Sequence, residues 1–217
     1  MPQGASLCAG NVCEAEKAEG IVSEWVVPCV YFEQAGPANT ERTLEIAKAR
    51  AEQLGIRAIL VATTTGATGV RAAEVFRGYD LVVVSHSHGF KAPNTQELTD
   101  ANREAILAAG AKLLTCQHAF GGINRAVRKE FGTYMLDELI AFVLRNFSQG
   151  VKVGVEIAIM AADAGLVRVG EPAITVAGTG RGADTAMVVI PANAQDFFDF
   201  RVLEILCKPR LGRPLKG

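Results

Sequence analysis

The chain has 217 residues, of which 49% are apolar and 21% charged, and its formal net charge is −1. The apolar fraction and balanced charge exclude an intrinsically disordered chain, and near-neutrality argues against a general binder of nucleic-acid backbones. With 22 Gly and 33 Ala but only 6% aromatic residues, the composition favours layered α/β packing over a β-sandwich, because small residues let helices lie close to strands.

Residues 1–26 are polar, rich in Ala and Glu and without a clear period, so they read as a helical or loose arm. Glu14, Glu16, Lys17 and Glu19 leave no apolar core for a signal peptide, and no run reaches the roughly 20 apolar residues of a membrane span. A cytoplasmic protein with neither membrane nor nucleic-acid partners is expected. Cys8, Cys13, Cys29, Cys116 and Cys207 are odd in number and sparse, as free thiols are. No His lies near Cys8 and Cys13 to complete a structural zinc site, and no metal is expected.

Val27 to Phe32 is β-rich and reads as the first strand. Turn chemistry at Pro37-Ala38-Asn39-Thr40 leads into a helix whose Leu44, Ala47, Ala51 and Leu54 share one face, with Gly55 as its stop. Ile56 to Ala62 is continuously apolar, as a strand covered on both faces must be. Next come a helix over Val70–Phe76, a strand over Leu81–Val84, a helix over Thr95–Ala109 ended by Gly110, and a strand over Lys112–Cys116. This alternation implies parallel strands, right-handed crossovers and ligands at the carboxyl ends of strands. Tyr134 to Phe147 reads as a helix with Leu136, Ile140, Val143 and Phe147 on one stripe. Val151, Val153, Val155, Ile157 and Ile159 alternate as in a strand, whereas Val155, Ile159, Ala162 and Leu166 fit a buried helix; the period leaves both open. Ala173–Ala177, Ala186–Ile190 and Arg201–Cys207 read as strands, the last of them at a sheet edge. The division expected is an arm over 1–26, a single domain over 27–210 and a basic tail over 211–217.

Five segments follow these strands and carry the candidate chemistry. Thr63-Thr64-Thr65-Gly66-Ala67-Thr68-Gly69 joins a buried strand to a helix. A helix start offers unpaired N–H groups, the threonines add hydroxyls, and the glycines admit close approach, which suits a phosphomonoester. The loop lacks the lysine of a Walker A motif and the dinucleotide G-x-G-x-x-G, and a plain capped turn would show the same residues. Gly178-Thr179-Gly180-Arg181-Gly182-Ala183-Asp184-Thr185 concentrates glycine as a ligand-backing loop does, or as a glycine-rich hairpin joining two strands does. In it Arg181 suits a phosphate or a planar ring, and Asp184 a polyol hydroxyl. Ser85-His86-Ser87-His88-Gly89-Phe90-Lys91 offers hydrogen-bonding histidines and a ring that stacks or packs. Cys116-Gln117-His118-Ala119-Phe120 holds a thiol and an imidazole two residues apart, more in keeping with a buried strand cysteine than with a nucleophile pair. Glu33 follows the first strand, as a polar contact or a solvated turn residue. In a parallel sheet all five gather on one rim, and the near-zero net charge suits a pocket that holds phosphate by N–H and hydroxyl groups, with little call for a basic surface.

The order of these motifs resembles a known family. Ala164-Gly165-Leu166-Val167, Gly170-Glu171-Pro172 and the run from Ile174 to Thr179 are similar to the final helix, strand and loop of the pyruvate kinase C-terminal domain. TTTGATGVRAAEVF resembles that domain's T-x-S-G-x-T-A loop, which holds a sugar phosphate in allosteric members; Thr65 here stands in place of Ser. Tyr31-Phe32-Glu33, Gly36, Asn39-Thr40, Thr63 to Gly69, Ser85 to Phe90 and Gly178 to Thr185 together resemble its stand-alone prokaryotic relatives. The resemblance covers about Val27 to Arg210 and implies a three-layer α/β/α sandwich on a mostly parallel, mixed sheet, with Val151 to Ala164 helical. It also implies FMN as cofactor: phosphate on Thr63, Thr64, Thr65, Gly66, Ala67, Thr68 and Gly69; polyol on Asn39, Thr40 and Asp184; ring framed by His86, Phe90, Phe120 and the backbone of Gly178, Gly180 and Gly182. Glu33, Ser85, Gly89, His118, Thr179, Arg181 and Thr185 complete the expected site. The rival expectation is a non-catalytic sensor of a sugar phosphate or nucleotide that shifts a homo-oligomer equilibrium. The pyruvate kinase reaction is excluded, since its barrel alone needs about 250 residues.

Overall fold

The computed structural model describes residues 24–211. The expected arm, the expected tail (apart from Leu211) and Cys8 and Cys13 thus lie outside the described residues, save for the arm's last three.

Among the described residues, seven strands form one sheet. In chain order they are β1 (Val30–Phe32), β2 (Ala58–Thr63), β3 (Asp80–Ser85), β4 (Lys112–Thr115), β5 (Ala173–Ala177), β6 (Thr185–Ile190) and β7 (Arg201–Pro209). The helices are α1 (Thr40–Leu54), α2 (Ala67–Val75), α3 (Asp100–Ala108), α4 (Ile123–Phe131), α5 (Leu136–Arg145) and α6 (Gln149–Asp163). The strand order is β1-β7-β6-β5-β2-β3-β4. Only β6 runs antiparallel to its neighbours, β5 and β7. The edge expected for the last strand is therefore held by β1, which pairs Val30 with Cys207 and leaves β7 internal.

Strand parity splits the core into two layers. Ile59, Val61, Leu81, Val83, Ile174 and Val176 face Leu44, Ala47 and Ala51 of α1, Ala72 and Ala73 of α2, and Ile106 of α3. Leu60, Val82, Val84, Ala173, Met187 and Val189 face α6 and Ala141 of α5. The result is an α/β/α sandwich on a mixed, mostly parallel sheet. Continuous apolar runs in β2 and β3 are what burial on both faces demands.

Helix ends follow local chemistry. Gly55 caps α1 in the left-handed conformation, φ 67°. Ser148 caps α6, its hydroxyl accepting from Val151 N at 2.9 Å. The alternation from Val151 to Ile159 arises because α6 is buried nearly all round, including Gly150, Gly154 and Ile157, so an apolar residue at every second position costs nothing. The helix expected from Thr95 begins five residues later, because Thr99 caps it by accepting from Asn102 N at 3.3 Å. No helix is expected from the sequence at α4; Ile123, Val127 and Phe131 form a short apolar stripe on it at i, i+4 and i+8, but none of the three is buried. Among the described residues, no helix is long and apolar enough to cross a membrane.

Candidate functional site

The carboxyl ends of β1 to β5 point the same way, so all five candidate segments do meet one rim. A cavity of about 710 Å3 opens there between α2 and α6.

The α2 wall is made of Thr63, Thr64, Thr65, Ala67 and Thr68. Gly66 turns β2 into α2 at φ 100°, and a Cβ there would lie 2.4 Å from Asn102 Cβ. Thr63 Oγ1 accepts from Gly66 N at 3.1 Å. The Thr65 carbonyl accepts from Asn102 Nδ2 at 2.9 Å and Thr99 N at 3.2 Å. The loop is thus fixed from α3. Arg71 of α2 also lines the cavity, held by Glu41 at 2.8 Å and Glu74 at 2.7 Å.

The glycine loop joins β5 and β6 as an antiparallel hairpin, as its alternative reading allowed, and Gly178, Gly180, Arg181 and Gly182 also line the cavity. Asp184 does not. It is fully buried and accepts from Gly36 N at 2.9 Å, Thr179 N at 3.1 Å and the Thr185 hydroxyl at 2.9 Å, so its oxygens fix the loop. Thr40 lines the cavity and pins the same loop, accepting from Ala183 N at 3.0 Å. Gly182 sits at φ 71° with Pro37 so close that a Cβ would approach its Cα to 2.4 Å.

The opposite wall is charged. Lys152 and Glu156 of α6 are 4% and 3% exposed and form an ion pair one helical turn apart. Glu156 Oε1 accepts from Phe120 N at 3.1 Å. His118 Nε2 accepts from Ser87 N at 3.2 Å, and His118 Nδ1 lies 3.9 Å from Glu156 Oε2. An imidazole that accepts at Nε2 is neutral, with its proton on Nδ1. Burial acts in the same sense and depresses the His118 pKa to about 4, against the pull of Glu156 and with help from the charges of His86, Lys152 and Arg125. Burial also lowers the Lys152 ammonium from its usual value; Glu156 opposes this, and Arg145 and Arg125 add to it. Phe90 stacks on His118 at 4.8 Å, packs on His86 at 4.2 Å and lies under the Arg125 guanidinium at 4.9 Å. His86 Nδ1 is bonded to Glu97 at 2.7 Å.

Ser85, His86, Phe90 and His118 line the cavity, although the Ser85 hydroxyl is shared with Thr115 at 2.6 Å. Other expected residues stand outside its lining. Glu33 is exposed on the turn after β1. Asn39 donates to the carbonyls of Gln34 and Gly36 and stabilises that turn. Gly69 packs on Val83 and Ile106, and Gly89 N closes a loop onto the Thr95 carbonyl at 2.8 Å. Phe120 is buried against Phe197 in the α6 layer, with Lys152 Nζ 5.7 Å from its ring centre, so it braces the lysine. Gly66, Thr179 and Thr185 serve the loops behind the wall.

Sequence reasoning missed Arg71, Arg125, Arg145, Gln149, Lys152 and Glu156. It also missed the charge: five cationic side chains and only two carboxylates line a cavity in a chain of net charge −1. The signal lay in VKVGVEIAIM, where two charges interrupt an otherwise apolar run at helical spacing. Cys116 forms no thiolate–imidazole pair with His118. Its Sγ bonds the Gln117 carbonyl, and burial raises its pKa. No group of three potential metal ligands occurs among the described residues.

Comparison with protein families places this architecture. The family model for the pyruvate kinase alpha/beta domain matches residues 41–190, from the first turn of α1 to the end of β6. The match spans both walls of the cavity, and the chain belongs to the pyruvate kinase alpha/beta domain family.

Proposed function

We propose that the protein binds a small phosphorylated metabolite in this cavity, with the phosphate at the start of α2, and that FMN is the specific candidate the family resemblance supplies. One observation carries the reading: threonine hydroxyls, a helix N-terminus and an excess of cationic side chains converge on a single concave site of ligand size. The donor set fits a phosphomonoester. It fits FMN at the phosphate and offers the His86–Phe90–His118 wall beside it. Thr63, Thr64, Thr65 and Thr68 would hold the phosphate, Thr40 would face the polyol, and Gly178, Gly180 and Gly182 would border the ring. Bound FMN would supply electron transfer, while the protein would orient it and exclude water.

A non-catalytic sensor is the second reading, and a specific observation favours it. The ionisable groups of the α6 wall are committed to one another, with His118 accepting from Ser87 and Glu156 engaged with Lys152 and Phe120 N. Such a wall binds more readily than it moves protons. Titration of FMN fluorescence with purified protein separates the two. Quenching with a micromolar or tighter dissociation constant supports the flavin version. A colourless protein whose melting temperature rises with glucose 6-phosphate supports the sensor. Absence of both effects overturns the phosphate reading.

A further inference from the structure

The α6 wall has no task if the ligand carries a phosphate alone. Its groups are unsuited to proton abstraction, because the His118 lone pair takes the Ser87 N–H and the Glu156 oxygens take Lys152 and Phe120 N. Stability does not explain the wall either, since a buried ion pair is commonly no better than an apolar pair of the same volume. What the wall does present is positive charge. Lys152 lines the cavity and uses one of three ammonium hydrogens on Glu156. Arg125 lines it too; among the described residues no carboxylate pairs with it, and its guanidinium lies over Phe90. Arg145 lines the same cavity, and the charges of Arg145 and Arg125 both act on the Lys152 ammonium. In a partly buried site their pull on an anion exceeds that of a surface lysine.

We propose that Lys152 and Arg125 form a second anion-reading subsite, so that the physiological ligand is a phosphorylated acid: its ester phosphate at the start of α2 and its carboxylate at the α6 wall. The inference rests on the phosphate reading of the same cavity. FMN brings one phosphate and an uncharged oxidised ring and so matches one wall, whereas a phosphorylated acid matches both.

Calorimetric titration of the full chain tests this with two matched pairs at one ionic strength. The short pair is 3-phosphoglycerate and glycerol 3-phosphate; the long pair is 6-phosphogluconate and the open-chain glucitol 6-phosphate. Each pair keeps the phosphate and differs by a carboxylate. In at least one pair the acid is expected to bind tenfold tighter or better. Lys152→Met/Glu156→Gln removes both charges and keeps an acceptor for Phe120 N, and it is expected to cut that advantage to within threefold. Arg125→Gln, on a helix that buries no residue, is expected to reduce it as well without disturbing folding, as judged by the melting temperature. Equal binding within each pair, with phosphate esters still bound, overturns the second subsite alone. A tenfold preference that survives both variants also overturns it. Failure of every phosphate ester to bind at millimolar concentration overturns this inference together with the phosphate reading.

Discussion

The two walls of the cavity solve opposite problems. The α2 wall is built from backbone N–H groups and hydroxyls that need no counter-charge, and Asn102 and Thr99 hold it from behind. The α6 wall is built from charges removed from water, and each is tolerable only because the next one faces it. The first wall should lose a hydrogen bond at a time when altered. The second should fail abruptly when one partner is lost and recover when both are replaced.

The largest expected effect tests that asymmetry. Lys152→Met alone leaves Glu156 buried without its cation and should cost about 3–5 kcal/mol, while Lys152→Met/Glu156→Gln should cost no more than about 1 kcal/mol. Urea unfolding of both variants checks this, and equal losses would erase the contrast. Next, Asp184→Ala strands the buried N–H groups of Gly36 and Thr179 and should cost about 3 kcal/mol by the same measurement. A loss under 1 kcal/mol would mean that the glycine loop is held by other contacts.

The third prediction concerns pH. His118 titrates near 6.5 when unfolded and at about 4 when folded. The unfolded chain therefore binds the extra proton first, and the stability that depends on neutral His118 is complete above pH 6.5 and lost as pH falls toward 4. The stability gap between wild type and His118→Gln should shrink by on the order of 3 kcal/mol between pH 7 and pH 4. A gap that is constant with pH would show that the imidazole is not held neutral. The smallest effect belongs to the α2 wall. Thr63→Val removes the acceptor for Gly66 N and should cost about 1 kcal/mol of stability. Its weakening of phosphate-ester binding should be the larger consequence, and unchanged binding would separate the loop from the ligand.

The same contrast explains what could be read from sequence. The α2 wall is local: threonines and glycines between an apolar strand and a helix announce a loop at a strand end, and the structure puts most of them on the cavity. The α6 wall is tertiary. Lys152 and Glu156 are spaced four apart, as a solvent-facing pair would be, and only packing against the sheet buries them. His118 and Phe90 meet because β3 and β4 are adjacent, a juxtaposition no spacing records. Strand positions from β2 to β6 were legible from apolar runs. The direction of β6 stayed open between a ligand-backing loop and a hairpin, and β7's internal place was not legible, because it depends on a three-residue strand, β1, far away in the chain. Asn39 and Asp184 were legible as polar loop residues; that they serve the backbone follows from where Gly36 and Thr179 come to rest.

The matched family region, residues 41–190, contains neither β1 nor β7. Yet among the described strands β1 pairs only with β7, and the turn that follows it sends Gly36 N to Asp184 across 148 residues. During synthesis the segment from Val30 to Gly36 emerges early and finds no partner until almost the whole domain is made. Closing the sheet edge joins residues 177 apart, Val30 and Cys207, and tying the glycine loop to the first turn joins residues 148 apart, so both carry a large loop-closure entropy. A nascent chain stalled after β6 already contains every residue of the α2 wall, yet its β1 has no strand to pair with.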